Sequence, residues 1–237
     1  MSSVSSKVIL EVIATTLAEV KAAAAYGADR IELITAMNEG GLTPSIGLIE
    51  EAVKSVSIPV NVMLRPHSRS FVYDKEDIQT LLSEVRRIRR AGANAIVFGA
   101  LTPKGEIDTR LLQRVLDRAG DMRMTFHRAF DEVKNQAAAL DQLLAYPQIT
   151  TILTSGGQPR VLDAAEQIQM LVARSAGTHC SILAGSGLSP NRDELRAFLD
   201  FTGVQQVHFG SGVREEGKSL APIDLMRMTE VRSILQG

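Results

Sequence analysis

The sequence predicts a TIM-type (β/α)8 barrel, with residues 1–237 forming one domain. Three observations carry that expectation. Short β-rich runs alternate with longer amphipathic runs along the whole chain. Strand starts recur roughly every 20–35 residues, the spacing of βα units in a barrel of about 250 residues. No linker, low-complexity segment or break in composition divides the chain. A doubly wound open sheet is the rival that the same alternation permits.

Each element has a local reason. Strands are expected at 8–13, 30–34, 60–64, 95–98, 122–127, 150–153, 181–184 and 206–209, where apolar and β-branched residues cluster. Helices are expected at 16–26, 45–56, 75–90, 109–119, 135–145, 160–173, 192–201 and 223–235. Thr43-Pro44 reads as a helix cap followed by proline at the first helical position. Asp74 and Asp108 are placed to cap the third and fourth helices. Gly27, Gly92 and Gly203 fall where helices should end. Ile78, Leu81, Leu82, Val85 and Ile88 recur at helical spacing, the stripe of a helix packed on a sheet.

Bulk properties narrow the function. The chain is 45% hydrophobic and 22% charged with a formal net charge of −1, which argues against a nucleic-acid or anionic-membrane partner. One cysteine, Cys180, excludes an internal disulfide and a cysteine-based zinc or iron–sulfur cluster within one chain. It fits a reducing cytosol. Residues 1–6 read as a disordered polar tail without the apolar core of a signal peptide. No apolar run approaches the ~18 residues of a membrane span. A cytoplasmic protein is expected.

The strands carry polar residues where a barrel interior should be apolar. In the i, i+2 register these are Arg30 with Glu32, Asn61 with Arg65, Thr125 with His127, and Gln206 with His208; Glu11 sits inside the apolar run ILEVI. They come from five strands and converge only if the barrel closes. An inert reading stands beside the functional one: Glu11 and Glu32 neutralise Arg30 and Arg65 and only set the register. His127, Arg128 and Asp131 arrive together at the fifth strand exit, the rim where barrel chemistry sits. His127, Glu11, Glu32 and Asp131 are therefore the catalytic candidates. His67 is expected in an exposed loop, and His179 on the opposite face of the barrel.

Three strand exits are glycine-rich: TSGG at 154–157, AGSGLS at 184–189 and FGSGVR at 209–214. Loops after the last barrel strands often bind phosphate through backbone N–H groups. Ser155, Gly156, Gly187, Gly210 and His208 are thus ligand-binding candidates, with Arg30, Arg65, Arg128 and Arg214 as guanidinium clamps. No HExxH, P-loop, GxSxG or GxGxxG pattern is present. No lysine stands alone inside a strand, which weakens a Schiff-base aldolase. Glu11, Glu32, His127 and His208 would suit a divalent cation better than copper(I), which prefers sulfur. Met63 and Met124 are candidates to face the barrel but read as core filler.

The motifs GADRIEL (27–33), EGGLTPS (39–45), the RP of MLRP (63–66), VFGALTPKGEID (97–108), TFHRAFDEV (125–133) and ILTSGG (152–157) resemble the CutC copper homeostasis family. The resemblance implies a cytoplasmic TIM barrel, usually a homodimer or higher homo-oligomer, associated with copper tolerance. It implies a shared pocket at Glu11, Arg30, Glu32, Arg65, His127, Arg128, Asp131, Ser155 and His208. Two departures stand out. Ile34 follows RIEL where members commonly have cysteine, and HSRSF (67–71) replaces the usual RGGDF. The residues name no cofactor, and a copper ion enters only through the resemblance. The expected partner is a small anionic or metal ligand at the mouth. The alternative is an enzyme acting on a phosphorylated or carboxylated metabolite with no direct copper role.

Overall fold

A computed structural model describes residues 7–237; the tail expected at 1–6 lies outside the described residues. Eight strands alternate with eight α-helices: β1 (Ile9–Ala14), α1 (Leu17–Ala25), β2 (Arg30–Leu33), α2 (Ile46–Ser55), β3 (Val60–Met63), α3 (Lys75–Arg90), β4 (Ala95–Phe98) and α4 (Thr109–Ala119) form the first half. β5 (Arg123–Phe126), α5 (Gln136–Leu143), β6 (Ile149–Thr154), α6 (Ala165–Ser175), β7 (Ser181–Gly185), α7 (Arg192–Thr202), β8 (Gln206–Phe209) and α8 (Leu225–Gln236) form the second. Each strand pairs in parallel with its sequence neighbours, and β8 returns to β1. The sheet is a closed barrel, so the open doubly wound alternative is set aside.

Strand alternation sorts the side chains. Leu10, Val12, Ile31, Val62, Ile96, Phe126 and Val207 belong to the main core, which they share with buried helix residues such as Val85, Leu112 and Val231. Met124 belongs to this outer core too, so it does not face the barrel interior. The alternate positions point inward. Ile34, Met63 and Val97 make a small separate apolar cluster, with Ile13 and Met37 against it. Glu11 lies in register with Arg30 on one side and His208 on the other.

Several boundaries differ from expectation for local reasons. Ser45, not Thr43, caps α2 by accepting from Leu48 N–H, because the Thr43 hydroxyl is engaged with the Arg65 backbone. Pro44 therefore precedes the cap. Asp74 and Asp108 do cap α3 and α4. The helix expected from residue 160 begins as a 3-10 turn, Val161–Ala164, because Val161 N–H donates to the Ser186 carbonyl in the β7 exit. The last helix starts at Leu225 because Ile223 is held in a bridge with Arg214 and Asp224 caps the helix.

Candidate functional site at the barrel mouth

A cavity of about 390 Å³ opens where the strands end. Its wall includes Glu32, Met37, Met63, Arg65, His127 and His208, with the glycine exits of β7 and β8 closing one side through Gly187 and Gly210. Glu11 lies below the lining, fully buried, and organises the floor. Its Oε1 meets His208 Nδ1 at 2.8 Å. Its Oε2 accepts from Arg30 Nε and, at 3.3 Å, from Asn61 Nδ2. Arg30 also donates to Gln206 at 3.0 Å, and Asn94 fixes Asn61 at 2.8 Å. Arg30 therefore holds the floor together from outside the cavity wall.

The two carboxylates of this group have opposite electrostatics. Burial alone would raise the Glu11 carboxyl, but Arg30 and His208 overcome it and bring it down to about 2. Burial raises Glu32 to about 7, with the Glu11 charge adding to the rise against His208 and Arg30. The reason is position. The ion-pair contact of Glu32 is His208 Nε2, at 3.7 Å, and its Oε1 is buried without a hydrogen-bond partner among the described residues. Burial opposes charge on His208, yet Glu32 and Glu11 raise its pKa on balance. The pair Glu11–His208 is thus an ion pair, and Glu32 is a carboxyl poised near neutrality at the cavity wall.

Arg65 behaves differently from the neutralising role considered for it. It pairs with neither Glu11 nor Glu32. Only 7% exposed, it reaches no carboxylate within ion-pair distance among the described residues. Its guanidinium makes long bonds of 3.3–3.5 Å to the carbonyls of Glu39, Gly40, Gly41 and Ser68 and lies 4.6 Å from the Phe71 ring centroid. Its Nε has no acceptor among the described residues. A buried cation is costly unless a counter-charge answers it.

His127 sits beside it. The imidazole Nδ1 accepts from Ala129 N–H at 3.2 Å, capping the 3-10 turn Arg128–Glu132. That bond assigns the proton to Nε2, which is buried with no partner among the described residues. Burial, then Arg65, lowers the His127 pKa to about 3. The ring is therefore a neutral N–H donor at ordinary pH rather than a titrating acid or base. Gly99 makes room for it: a Cβ there would stand 2.6 Å from Nδ1.

The fifth exit divides into two functions. Arg128 lines the cavity, but it also donates to Asp131 at 2.8 Å and to Ser155 at 3.1 Å. Asp131 faces the glycine exit of β6 and accepts from Ser155 N–H at 3.1 Å, Ser155 Oγ at 3.0 Å, Gly157 N–H at 3.3 Å and Thr154 Oγ1. Gly156 N–H is taken by Thr154 Oγ1 at 2.8 Å. The anion expected on this loop is thus the protein's own carboxylate, and Asp131, Ser155 and Gly156 lie outside the cavity lining.

Other expectations change as well. Arg214 is fully buried and clamps Glu19 at 2.6 and 3.0 Å, with further bonds to the Ala221 and Ile13 carbonyls, so it is no ligand clamp. His67 is partly buried against Asp77 at 2.9 Å rather than free in solvent. His179 bonds the Tyr146 carbonyl at the strand entrances, as expected for the stability face. Met37 and Phe71 went unanticipated. Phe71 is the last residue of the HSRSF stretch and packs against both Arg65 and His127, at 4.8 Å from the His127 ring. An aromatic residue shortly after an inward arginine is a signal for such stacking.

Copper fits this donor set poorly. Glu11, Glu32 and His208 place ligand atoms within 4.8 Å of one another, but both Glu11 oxygens are committed to Arg30, Asn61 and His208. No thiolate is near, because Cys180 is buried at the start of β7 with its thiol pushed up to about 12. Copper(I) favours soft sulfur donors, and the wall offers the thioethers of Met37 and Met63 but no thiolate.

A closed parallel (β/α)8 barrel with a cavity at its C-terminal mouth is the architecture of a TIM-barrel protein. The CutC family model matches residues 8–213. CutC proteins of Glaesserella parasuis and Photobacterium profundum are 36% and 34% identical over 85% and 92% of this chain and 82% and 85% of their own lengths. The chain belongs to the CutC family. A solved CutC structure from Streptococcus agalactiae, described as a copper homeostasis protein, superposes with a TM-score of 0.79 at 28% identity, covering 85% of this chain and 97% of that one. Phosphoribosyl anthranilate isomerase from Thermococcus kodakaraensis aligns with a TM-score of 0.62 at 14% identity, over 97% of this chain and 99% of its own, which shows the shared fold alone.

Proposed function

We propose that this CutC-family barrel binds a small organic anion, bearing a carboxylate or phosphate, at its mouth. The observation that supports it most is Arg65: a buried guanidinium on the cavity wall that no carboxylate answers among the described residues. Gly187 and Gly210 present backbone on the neighbouring wall. The copper homeostasis role named for the Streptococcus agalactiae relative is carried over as a physiological setting. In this reading the protein serves that setting through a metabolite, not by holding copper. A cytoplasmic location is part of the proposal. It is supported by the lone buried thiol and consistent with the finding that no described helix is long and apolar enough to cross a membrane. Homo-oligomerisation is proposed too, with exposed Leu220, Leu225 and Met226 as apolar surface for a second copy.

The test is a thermal-shift series with inorganic phosphate, pyruvate and dihydroxyacetone phosphate on the wild type and on Arg65→Met. A ligand present at 100 times its dissociation constant adds about 2.7 kcal/mol to stability. At least one probe should stabilise the wild type and leave Arg65→Met unmoved. Equal shifts in both proteins, or none in either, would overturn the anion reading.

A further inference from the structure

We propose that Glu32 and His127 make the barrel mouth a proton-transfer site for a small anionic carbonyl compound. Glu32 takes the proton from the carbon beside the carbonyl, and the His127 Nε2–H group receives the resulting enolate oxygen. The proposal rests on the anion reading, because Arg65 must hold the substrate's carboxylate or phosphate in the same cavity.

The geometry carries it first. Glu32, on β2, and His127, at the exit of β5, line the same cavity. Each presents a buried polar atom without a partner among the described residues: Glu32 Oε1, an acceptor when ionised, and His127 Nε2, a donor. Buried polar groups in folded proteins are nearly always bonded. An acceptor and a donor left unbonded on the lining of one cavity match a substrate that gives up a proton at one atom and develops negative charge at another. The third unbonded atom of this wall is Arg65 Nε.

The supporting structure is specific to these roles. The Ala129 N–H bond to Nδ1 fixes His127 as the Nε2–H tautomer, so it can donate but not accept at the cavity. A neutral imidazole is a better matched donor to an enolate than an imidazolium, which would transfer its proton outright. Glu11, by contrast, is bonded through both oxygens and lies beneath the wall. Of the two interior carboxyls only Glu32 is free to move a proton. A carboxyl near pH 7 is also the base strength that proton abstraction at neutral pH requires.

The step balances without an oxidant or a bound cofactor. The carbon–hydrogen bond breaks, and its electron pair forms the enolate double bond. The carbonyl π pair moves to oxygen, where Nε2–H bonds it. The proton rests on Glu32 and returns to the same carbon. Where the neighbouring carbon carries a hydroxyl, return to the former carbonyl carbon after a hydroxyl proton shift interconverts an aldose and a ketose.

Proton NMR in D2O tests the proposal, with dihydroxyacetone phosphate and pyruvate as probes and the protein-free rate as reference. The wild type should speed exchange of the carbon-bound proton on at least one probe that it binds. Glu32→Gln should reduce the enzymatic rate at least about 100-fold while keeping the thermal shift by that probe. Glu32→Asp, which keeps a carboxyl, should restore part of it. His127→Phe should lower the rate by about 100-fold or more. If the probes bind and none exchanges above the protein-free rate, the proton-transfer proposal is overturned and the anion site stands. If no probe binds, both fall. Exchange unchanged in Glu32→Gln would also overturn it.

Discussion

Replacing Glu32 by glutamine tests the electrostatics of the mouth through stability alone. Below pH 4.5 the wild-type carboxyl is protonated in the folded and unfolded chain, and glutamine mimics its shape, so the two proteins should be nearly equally stable. The folded-state pKa is raised from 4.5 to about 7, chiefly by burial. A group raised in this way stabilises below its unfolded pKa and loses that contribution as pH rises through its folded value. Each pH unit in the window costs the wild type about 1.4 kcal/mol. Across the whole window the loss is on the order of 3 kcal/mol, after which it levels off. Glu11, lowered to about 2, gives its full stabilisation above pH 4.5 and adds no pH dependence there. Urea unfolding at pH 4.5, 6 and 8 should therefore show Glu32→Gln gaining on the wild type with each step. A stability difference that stays flat with pH would refute the assignment of Glu32 as the buried, poorly compensated carboxyl.

Other expectations follow from the same geometry. Nitrogen NMR of His127 should show the neutral Nε2–H tautomer at pH 5, since burial and Arg65 lower its pKa to about 3; an imidazolium there would contradict the capping bond. Gly99→Ala should displace the His127 ring, because the new Cβ would lie 2.6 Å from Nδ1 and 3.1 Å from the Ala129 Cβ; a crystal structure with the ring in place would count against the argument. Arg214→Met should cost roughly 3–5 kcal/mol by leaving Glu19 without its buried partner, measurable by urea unfolding. The proton exchange proposed for the mouth should rise with pH through about 7 and then level, as Glu32 ionises in the field of His208, Glu11 and Arg30; a profile that falls with pH would reject Glu32 as the base.

The barrel was legible because its signals are local. Strand runs, caps at Asp74 and Asp108, and the inward polar residues at alternate positions all read directly from neighbours in sequence. Even the grouping of Glu11, Arg30, Glu32 and His208 follows once the barrel is assumed closed. The missed features depend on distances that sequence separates widely. Glu19 lies 195 residues from Arg214, so nothing nearby warns that this arginine is already taken. Asp131 and the TSGG loop both look like ligand groups, and only the fold shows that each is the other's ligand. Arg65 shows the opposite error. A neutral network looked complete on paper, but Arg30 and His208 claim Glu11, and Arg65 reaches neither carboxylate. Thr43 lost the capping role to Ser45 for a similar reason, its hydroxyl being spent on the Arg65 backbone.

The central claim is that Arg65 awaits the anion of a ligand. A crystal structure of the protein grown with saturating dihydroxyacetone phosphate tests it directly. The account predicts the phosphate in the mouth cavity, with an anionic oxygen at about 2.7–2.9 Å from the Arg65 guanidinium. Ligand bound elsewhere, or an Arg65 still facing only the carbonyls of Glu39, Gly40, Gly41 and Ser68 at saturation, would contradict it.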